Sequence, residues 1–432
     1  MNYVEEIMRM LAASHSCFHN VALIEEQLRK NGFEKKAEGE PFHLERGKKY
    51  YVTRNGSSLI AFKLGDNPRC FRLAAAHTDS PSFKLKPNPI ISFKNLAKLN
   101  VEPYGGALFA PWFDRALSFA GRAMVERKGK FVQVLIDVDE DLLVIPNVCI
   151  HMKREINQDS INPAVDTIPL LGEYSEGLDM DGLLKSKGLL GEEDKLIGFD
   201  FFLYDRDLPK LVGANKELLL APRLDDLSSC YSALLGFIEA DNSGDVDVFC
   251  AFDNEEVGSL SRQGANSTFL QDILHRIGAA LDKNEDEFLA MVANGFLLSE
   301  DNAHANHPNH PELSDATTDV RLNGGIVVKY NANQKYTTDS YSAALVKWLC
   351  AQIGSPVQEY TNRSDLRGGS TLGNISNSEI SFAAADIGLA QLAMHSCNET
   401  MGVRDLERNV ALNKAYFSLP WRLKEGIIEF GE

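Results

Sequence analysis

The chain has 432 residues, of which 44% are hydrophobic, with a formal net charge of −17 and a pI near 5.1. This length exceeds what one hydrophobic core normally serves, so we expect two domains. The acidic balance argues against a nucleic-acid binder and against a binder of anionic membranes.

Cellular location is indicated by what the sequence lacks. It contains no run of about twenty apolar residues, the length that a membrane-spanning helix requires. Its acidic start at residues 2–6 has no basic stretch followed by an apolar core, so no signal peptide is predicted. The seven cysteines are scattered without CxxC spacing, as expected for small core residues in a reducing compartment. We therefore predict a cytoplasmic protein.

The sequence pattern changes once in the first half of the chain, near residue 83. Residues 4–35 show helical periodicity, and residues 51–63 and 71–76 read as strands separated by a turn. From about residue 83 to 215 short β-like runs punctuated by prolines dominate, with an acidic, glycine-rich stretch at 174–195 that predicts a loop with weak helix.

Helices and strands alternate again in the second half of the chain. The pattern predicts a helix at 228–240, a strand at 246–252, a helix at 267–281, a strand at 324–330, a helix at 340–353 and a strand at 356–360. We therefore predict an α/β fold in two domains, a discontinuous one of residues 1–82 plus 216–432 and an inserted, mostly β domain of residues 83–215.

The most informative motif is Asp253-Asn254-Glu255-Glu256, which follows the apolar strand predicted at 246–252. Open α/β sheets build their sites at the carboxyl ends of strands. Adjacent side chains on an irregular turn can point in different directions, so one carboxylate can bind a metal while its neighbour acts as a general base. Adjacent acids are more often a solvated surface, so this motif needs support from elsewhere.

Four further segments supply that support. Each could be a plain strand end, a helix N-cap or a polar loop by itself. Together they place carboxylates and imidazoles after or beside apolar segments, which is the ligand mixture of a two-zinc hydrolase. The segments are residues 74–81 with His77 and Asp79, residues 221–227 with Asp225 and Asp226, residues 299–308 with Asp301 and His304, and residues 394–399 with His395.

These segments, in this order, resemble the M18 family of metalloaminopeptidases, of the aspartyl aminopeptidase type. The resemblance runs from near residue 14 to near residue 396. It is carried by residues 14–20, 76–81, 222–225, 253–259, 303–309, 369–373 and 394–396. It implies a di-zinc peptidase core, with a mixed central sheet flanked by helices, and an inserted domain used in oligomer contacts.

The resemblance also implies a role for each candidate residue. Asp225 would bridge two zinc ions, His77 and Asp301 would complete one site, and Glu256 and His395 the other. Glu255 would be the general base that activates a metal-bridged water, and Asp79 would orient His77. Cobalt or manganese are suitable substitutes for zinc with these ligands.

Three residues are weaker candidates for substrate binding. The family often prefers acidic N-terminal residues, and Lys329 resembles a family lysine near the substrate side chain. The alternative is a solvated strand lysine. His304 could touch substrate or be a polar loop histidine. His151 resembles a histidine that reaches a neighbouring subunit's active site, and the alternative is an exposed strand histidine.

The family assembles as dodecamers built from dimers, so a homo-oligomer acting on short peptides is expected.

One position departs from the family pattern. Asp226 stands where the family more often has asparagine, and we expect its carboxylate to form local hydrogen bonds. The resemblance further implies a cis peptide bond between Asp225 and Asp226.

Two other classes of function compete with an aminopeptidase. A related di-zinc deacylase or carboxypeptidase would need a cationic clamp for a carboxyl terminus, and no dedicated arginine pair is evident. A metal-stabilised scaffold without catalysis would have no use for Glu255 beside Glu256.

Overall fold

Helices and strands alternate along most of the chain in the computed structural model, which describes residues 2–158, 160–241, 244–366, 368–369 and 371–431. The helices are α1 (Tyr3–Ala13), α2 (Cys17–Lys30), α3 (Met180–Ser186), α4 (Leu224–Glu239), α5 (Phe269–Ala280), α6 (Glu285–Ala293), α7 (Ser340–Gln352), α8 (Leu372–Ser376) and α9 (Val403–Ser418). Short 3-10 helices lie at Ala110–Trp112, Glu255–Val257 and Pro311–Leu313.

The strands follow the same chain order. They are β1 (Glu34–Lys35), β2 (Lys49–Arg54), β3 (Ser58–Leu64), β4 (Phe71–His77), β5 (Ser82–Phe93), β6 (Leu96–Tyr104), β7 (Leu117–Arg127), β8 (Lys130–Asp137), β9 (Leu170–Glu173), β10 (Lys195–Asp205), β11 (Lys210–Val212), β12 (Leu218–Ala221), β13 (Val246–Phe252), β14 (Phe296–Glu300), β15 (Ala303–His304), β16 (Ile326–Tyr330), β17 (Val357–Thr361), β18 (Ala383–Gly388), β19 (Ala390–Leu392), β20 (Glu399–Gly402), β21 (Trp421–Lys424) and β22 (Ile427–Phe430).

A central mixed sheet organises the molecule. Its strands lie in the order β1-β2-β3-β13-β4-β14-β18-β16-β17 among the described residues. Strands β13, β4, β14 and β18 are parallel neighbours. Their carboxyl ends therefore meet along one edge, where the predicted motifs follow the strands.

Helices cover both faces of the central sheet. Side chains of α1, α2, α4, α7 and α9 pack on one face, and side chains of α5, α6 and α8 pack on the other. Along β13, Phe249 and Ala251 face the first layer, whereas Val248 and Cys250 face the second. A strand buried on both faces reads as a continuous apolar run, which is why this one was recognisable from sequence.

A second sheet is antiparallel and takes its strands from the β-rich part of the chain. Its order is β8-β7-β10-β5-β6-β9, and its core includes residues of α3 and Trp112. With the central mixed sheet and its helices, this arrangement confirms the predicted fold class. The domain boundaries at residues 82/83 and 215/216 stay a prediction.

Two smaller sheets complete the described strands. One has the order β11-β12-β20-β19-β15 and carries the loop with His395 between β19 and β20. The other is the hairpin β21-β22. No helix of the described residues combines the length and apolarity needed to cross a bilayer.

Several predicted elements differ from the structure in detail. The helical stretch at 4–35 is two helices, because Ser16 caps α2 by accepting a hydrogen bond from the amide of His19. The strand predicted at 51–63 is the hairpin of β2 and β3, since Asn55 and Gly56 take φ values of 59° and 69°, which suit a tight hairpin turn.

Helix α9 was not predicted. Asp405, Asn409 and Asn413 are buried at four-residue spacing on one face of this helix. The Asn409 side chain donates to Glu300 and to Ser232. These buried polar residues interrupt the apolar stripe by which a helix is usually recognised.

Candidate metal centre

Three parallel strands end at the candidate site. His77 is the last residue of β4, and Asp301 directly follows β14. Glu255 and Glu256 lie in the 3-10 turn after β13. Since β13 and β14 are the two neighbours of β4, these four side chains converge at one edge of the central sheet.

Two more residues reach this edge from other segments. Asp225 lies at the start of α4, where its φ and ψ of −80° and 111° are not helical. The following Asp225–Asp226 peptide bond is cis, which confirms the prediction. His395 lies in the loop between β19 and β20 with φ of 68°.

The side chains form two groups that share Asp225. In the first group, His77, Asp225 and Asp301 each offer a ligand atom, and these atoms lie within 4.8 Å of one another. In the second group, Asp225, Glu256 and His395 do the same. The Nε2 atom of His77 lies 3.5 Å from Asp225 Oδ1, and Nε2 of His395 lies 3.4 Å from Asp225 Oδ2. The two oxygens of one carboxylate thus face two different histidines.

The electrostatics of these groups fit bound cations. Burial, reinforced by neighbouring acids, raises the pKa of Glu255 to about 8 and that of Glu256 well above its usual value. Burial opposes protonation of His395, but Asp225 outweighs it and raises the pKa of His395 to about 9. Asp225 Oδ1 and Glu256 Oε1 are buried without a hydrogen-bond partner among the described residues. Divalent cations would compensate this crowded negative charge and use the unpaired oxygens.

Both histidines present the correct ring nitrogen. His77 Nδ1 lies 3.0 Å from the backbone oxygen of Asp79, and His395 Nδ1 lies 3.1 Å from the backbone oxygen of Gly106. A carbonyl oxygen only accepts, so Nδ1 carries the proton of each neutral ring. The lone pair of each Nε2 then points at Asp225, as a metal ligand requires.

Asp79 contacts more than His77. Its Oδ1 accepts from the backbone amide of Glu255 at 3.1 Å, and its Oδ2 accepts from that of Glu256 at 3.2 Å. The hydroxyl of Tyr104 also donates to Oδ2 at 2.7 Å. Asp79 therefore anchors the turn that carries both glutamates.

Two residues at the site were missed by sequence reasoning. Tyr104 belongs to the β-rich segment, in which the sequence predicts no residue that contacts the metal ligands of its own chain. Glu399 lies within a quoted motif but had no assigned role. The Glu399 carboxylate accepts from the backbone amide of Asp225 at 2.9 Å and from that of His395 at 2.7 Å. A buried acid four residues after His395 was the available signal.

The carboxylate of Asp226 forms a hydrogen bond with a distant segment of the chain rather than with its own turn. Its Oδ2 accepts from the backbone amide of His77 at 3.3 Å. The side chain is fully buried, and burial raises its pKa well above the usual value.

A cavity of about 260 Å³ opens on the two groups. Its lining includes Glu255, His304, Lys329, Tyr336 and Tyr360. Its mixture of aromatic and polar lining residues is the one expected of a small-molecule or peptide-terminus site.

Lys329 is not a free cation in this cavity. It is 2% exposed, its Nζ donates to the backbone oxygen of Asp301 at 2.6 Å, and Nζ lies 3.5 Å from Asp301 Oδ2. Tyr336 packs beneath it with the ring centroid 5.2 Å from Nζ. Its charge is therefore shared between Asp301 and the cavity.

The remaining candidates lie further out. His304 is exposed at the cavity, whereas His151 is exposed and is not among the described residues that line it. Residues Arg367 and Ser370, part of the glycine-rich segment at 367–373, lie outside the described residues.

Comparison with known protein families gives one consistent match. A family model described as aminopeptidase I zinc metalloprotease (M18) matches residues 10–417. A probable M18 family aminopeptidase 2 of Clostridium novyi (strain NT) is 39% identical over 431 residues, covering 97% of this chain and 99% of the relative. Another, from Clostridium acetobutylicum, is 40% identical over 415 residues, covering 94% of this chain and 96% of the relative.

Solved structures give the same match. The chain is similar to one in the cryo-EM structure of the Ape4 and Nbr1 complex, with a TM-score of 0.92 and 34% identity, covering 96% of this chain and 85% of that chain. It is also similar to the S. cerevisiae mApe1 dodecamer, with a TM-score of 0.84 and 27% identity, covering 96% of each chain.

Proposed function

This chain belongs to the M18 family of zinc metalloproteases and is an aminopeptidase, and on that basis we propose that it releases N-terminal residues from short peptides at a two-zinc centre with Glu255 as general base. Asp225 supports this proposal most directly. Its two carboxylate oxygens face His77 and His395 separately, and each histidine has a further carboxylate beside it.

The proposed ligands divide between the two groups. His77, Asp225 and Asp301 would hold one zinc ion, and Asp225, Glu256 and His395 the other. Cobalt or manganese would suit the same ligands. Bound ions supply Lewis acidity, which polarises a carbonyl and makes water a stronger acid.

Glu255 is the proposed proton carrier. It lines the cavity beside Glu256, and its backbone amide is held by Asp79. From this position its carboxylate would accept a proton from the attacking water and pass it to the leaving amine. Asp79, by fixing the turn and contacting His77, would keep both the base and a ligand in place.

A preference for acidic N-terminal residues is the proposed specificity. Lys329 and His304 are the basic side chains at the cavity other than the proposed ligands, among the described residues. Because Lys329 already contacts Asp301, we propose that it serves both the acidic substrate side chain and the position of that ligand.

The test of this function compares free and blocked substrates. Aminoacyl chromogens should be hydrolysed, a chelator should stop the hydrolysis, and added zinc should restore it. The zinc content of the protein is measured by atomic emission. The matched control is the same chromogen with its amino group acetylated, which should not be cleaved. Equal release of chromogen from the acetylated compound would refute an aminopeptidase, whereas release of acetate from it would favour the deacylase alternative.

We also propose the domain division and the assembly. Residues 83–215 would form the inserted domain, with residues 1–82 plus 216–432 as the catalytic one. The solved S. cerevisiae relative is a dodecamer. In this chain Phe131, Ile150, Met152 and Val165 are 66%, 53%, 83% and 68% exposed. Such exposed apolar side chains suit subunit contacts, so a dodecamer built from dimers is proposed.

A further inference from the structure

The six-stranded sheet touches the candidate metal centre at the end of β6. Residues 104–108, Tyr-Gly-Gly-Ala-Leu, leave this strand and pass over the second group of ligands. We call these residues the 104–108 segment.

Tyr104 makes the first contact. Its hydroxyl donates to Asp79 Oδ2 and accepts from the side-chain amide of Asn254, both at 2.7 Å. Its ring packs edge-on against Phe202 of β10, with centroids 5.2 Å apart. Because Asp79 also holds the amides of Glu255 and Glu256, Tyr104 connects the six-stranded sheet to the turn that carries them.

Gly105 makes the second contact. Its φ is +71°, and a Cβ built on it would lie 3.1 Å from the Cβ of Glu256 and 3.6 Å from its Oε2. The backbone of Gly105 therefore packs directly on the Glu256 side chain, and a methyl group there would push it.

The third contact is with His395. The backbone oxygen of Gly106 accepts from His395 Nδ1 at 3.1 Å, and the backbone amide of Leu108 donates to the His395 oxygen at 2.9 Å. The first bond fixes the tautomer and plane of the ring, and the second fixes the backbone that carries it.

The loop after His395 contacts the chain just beyond the 104–108 segment and just beyond β10 of the same sheet. Cys397 Sγ donates to the backbone oxygen of Pro111 at 3.1 Å, and the Asn398 side-chain amide lies 3.2 Å from Asp207 Oδ2. In the first group, by contrast, His77 is held by Asp79 of the central-sheet segment and Asp301 by Lys329 of β16.

We propose that the 104–108 segment is a positioning element that orients His395 and Glu256, so that the six-stranded sheet sets the affinity of the Asp225–Glu256–His395 group for its metal ion. This inference rests on the proposed two-zinc ligand set. Residues that orient metal ligands typically change metal affinity by about 10–100-fold when they are altered.

The test measures zinc affinity by competition with a chromogenic chelator, in two matched pairs. Tyr104→Phe removes the hydroxyl that holds Asp79, and its control Tyr204→Phe removes a buried hydroxyl that donates to Asp137 at 2.8 Å in the same sheet. Gly105→Ala adds a methyl group against Glu256. Its control, Gly129→Ala, has nearly the same φ of +72° with no atom within 4 Å of the added methyl.

The expected result is selective. Gly105→Ala should weaken the binding of one of two zinc ions by about 10–100-fold, and the controls should match the wild type. Tyr104→Phe should weaken the same ion and also the other one, because Asp79 contacts His77 as well as the turn of Glu256. Tyr104→Phe keeps the shape of the ring, so it stays informative if Gly105→Ala does not fold. Equal weakening of both zinc ions in Gly105→Ala, or affinities in either variant equal to those of its control, would overturn the proposal.

His395→Ala separates this inference from the function on which it rests. Loss of one zinc ion in His395→Ala, with unchanged affinities in Tyr104→Phe and Gly105→Ala, would leave the ligand set standing and remove only the positioning role. Retention of both zinc ions in His395→Ala would overturn the ligand set and the positioning role together.

Discussion

Glu255 and Glu256 are neighbours in sequence but occupy different surroundings. The Glu256 Oε2 atom lies 3.4 Å from His395 Nε2, within the second ligand group. Glu255 is absent from both groups that contain Asp225, although it forms a third possible set with His77 and Glu256. The proposed roles therefore depend on which carboxylate carries a metal ion.

Replacing these two glutamates separately should divide catalysis from metal binding. Glu255→Gln should lower turnover about a thousandfold, as expected when a general base is removed, and should keep both metal ions. Glu256→Gln should lose metal. Turnover and metal content of each variant are the measurements. Loss of zinc in Glu255→Gln would instead make Glu255 a ligand.

Glu399 should control metal affinity without being a ligand. In Glu399→Gln one carboxylate oxygen is replaced by the NH2 of the side-chain amide. This group cannot accept a hydrogen bond from the backbone amide of Asp225 or of His395. We expect about a tenfold weaker zinc affinity, measured by chelator competition.

The matched control for Glu399 is Asp405→Asn. This buried carboxylate accepts from the amide of Gly325 at 2.9 Å, away from the metal centre. Zinc affinity should not change in the control, and an equal loss in both variants would mean that Glu399 acts through general stability.

Lys329 should decide between acidic and apolar N-terminal residues. A charge-assisted hydrogen bond to an acidic side chain is worth about 1.5–3 kcal/mol, so Lys329→Ala should lower kcat/KM for Asp and Glu chromogens about tenfold or more relative to Leu. Metal content must be counted in parallel, because Lys329 also contacts Asp301. His304→Gln is the companion variant for the second basic side chain. A wild type that prefers Leu, with the ratio unaltered by Lys329→Ala, would refute the pocket assignment.

At the scale of elements, the site depends on how closely two strand ends approach. Gly388 ends β18 beside Asp301, which follows β14, and a Cβ added to Gly388 would lie 2.0 Å from the Asp301 backbone oxygen. That oxygen is also the acceptor for Lys329 Nζ. No side chain fits between these strand ends.

Gly388→Ala should therefore displace Asp301. We expect a loss of about 1–3 kcal/mol of stability from overpacking, and loss of zinc from the group that contains Asp301. Gly198→Ala in β10 is the control, since nothing lies within 4 Å of its added methyl. Thermal unfolding and zinc content are the measurements, and a Gly388→Ala protein with full zinc would show that the strand ends can separate.

At the scale of the whole molecule, the proposed role of His151 depends on a second subunit. His151 is exposed and outside the described lining of the cavity. A role in catalysis therefore requires a second subunit, in agreement with the dodecamer of the solved relative.

His151→Ala should lower kcat while leaving assembly and bound metal unchanged. Sedimentation should show a species near twelve chains, as in the S. cerevisiae relative. His310→Ala, which changes an exposed histidine beside Glu312, should keep full activity. A fully active monomer would rule out both the need for a dodecamer and the contribution of His151 from a neighbouring subunit.

Much of this protein was determined by local sequence. Val246–Phe252 was recognisable as a strand because, apart from Asp247, its side chains form a short apolar run, which is typical of a strand buried on both faces. The acids and histidines that follow apolar segments identified the candidate ligands, since parallel strands place their carboxyl ends at one edge. The hairpin at Asn55 and Gly56 is also encoded locally, although the pattern of residues 51–63 predicts one strand.

Only the tertiary structure decided how these side chains are paired and held. The contacts of Tyr104 with Asn254, of Gly105 with Glu256 and of Gly106 with His395 join segments about 150 to 290 residues apart, and no local periodicity encodes such distances. The packing of separate segments also made Lys329 a partner of Asp301 and Glu399 an acceptor for the backbone amide of Asp225. A buried polar group must find a partner, but the sequence specifies only the group, whereas the packing of sheets and helices selects the partner.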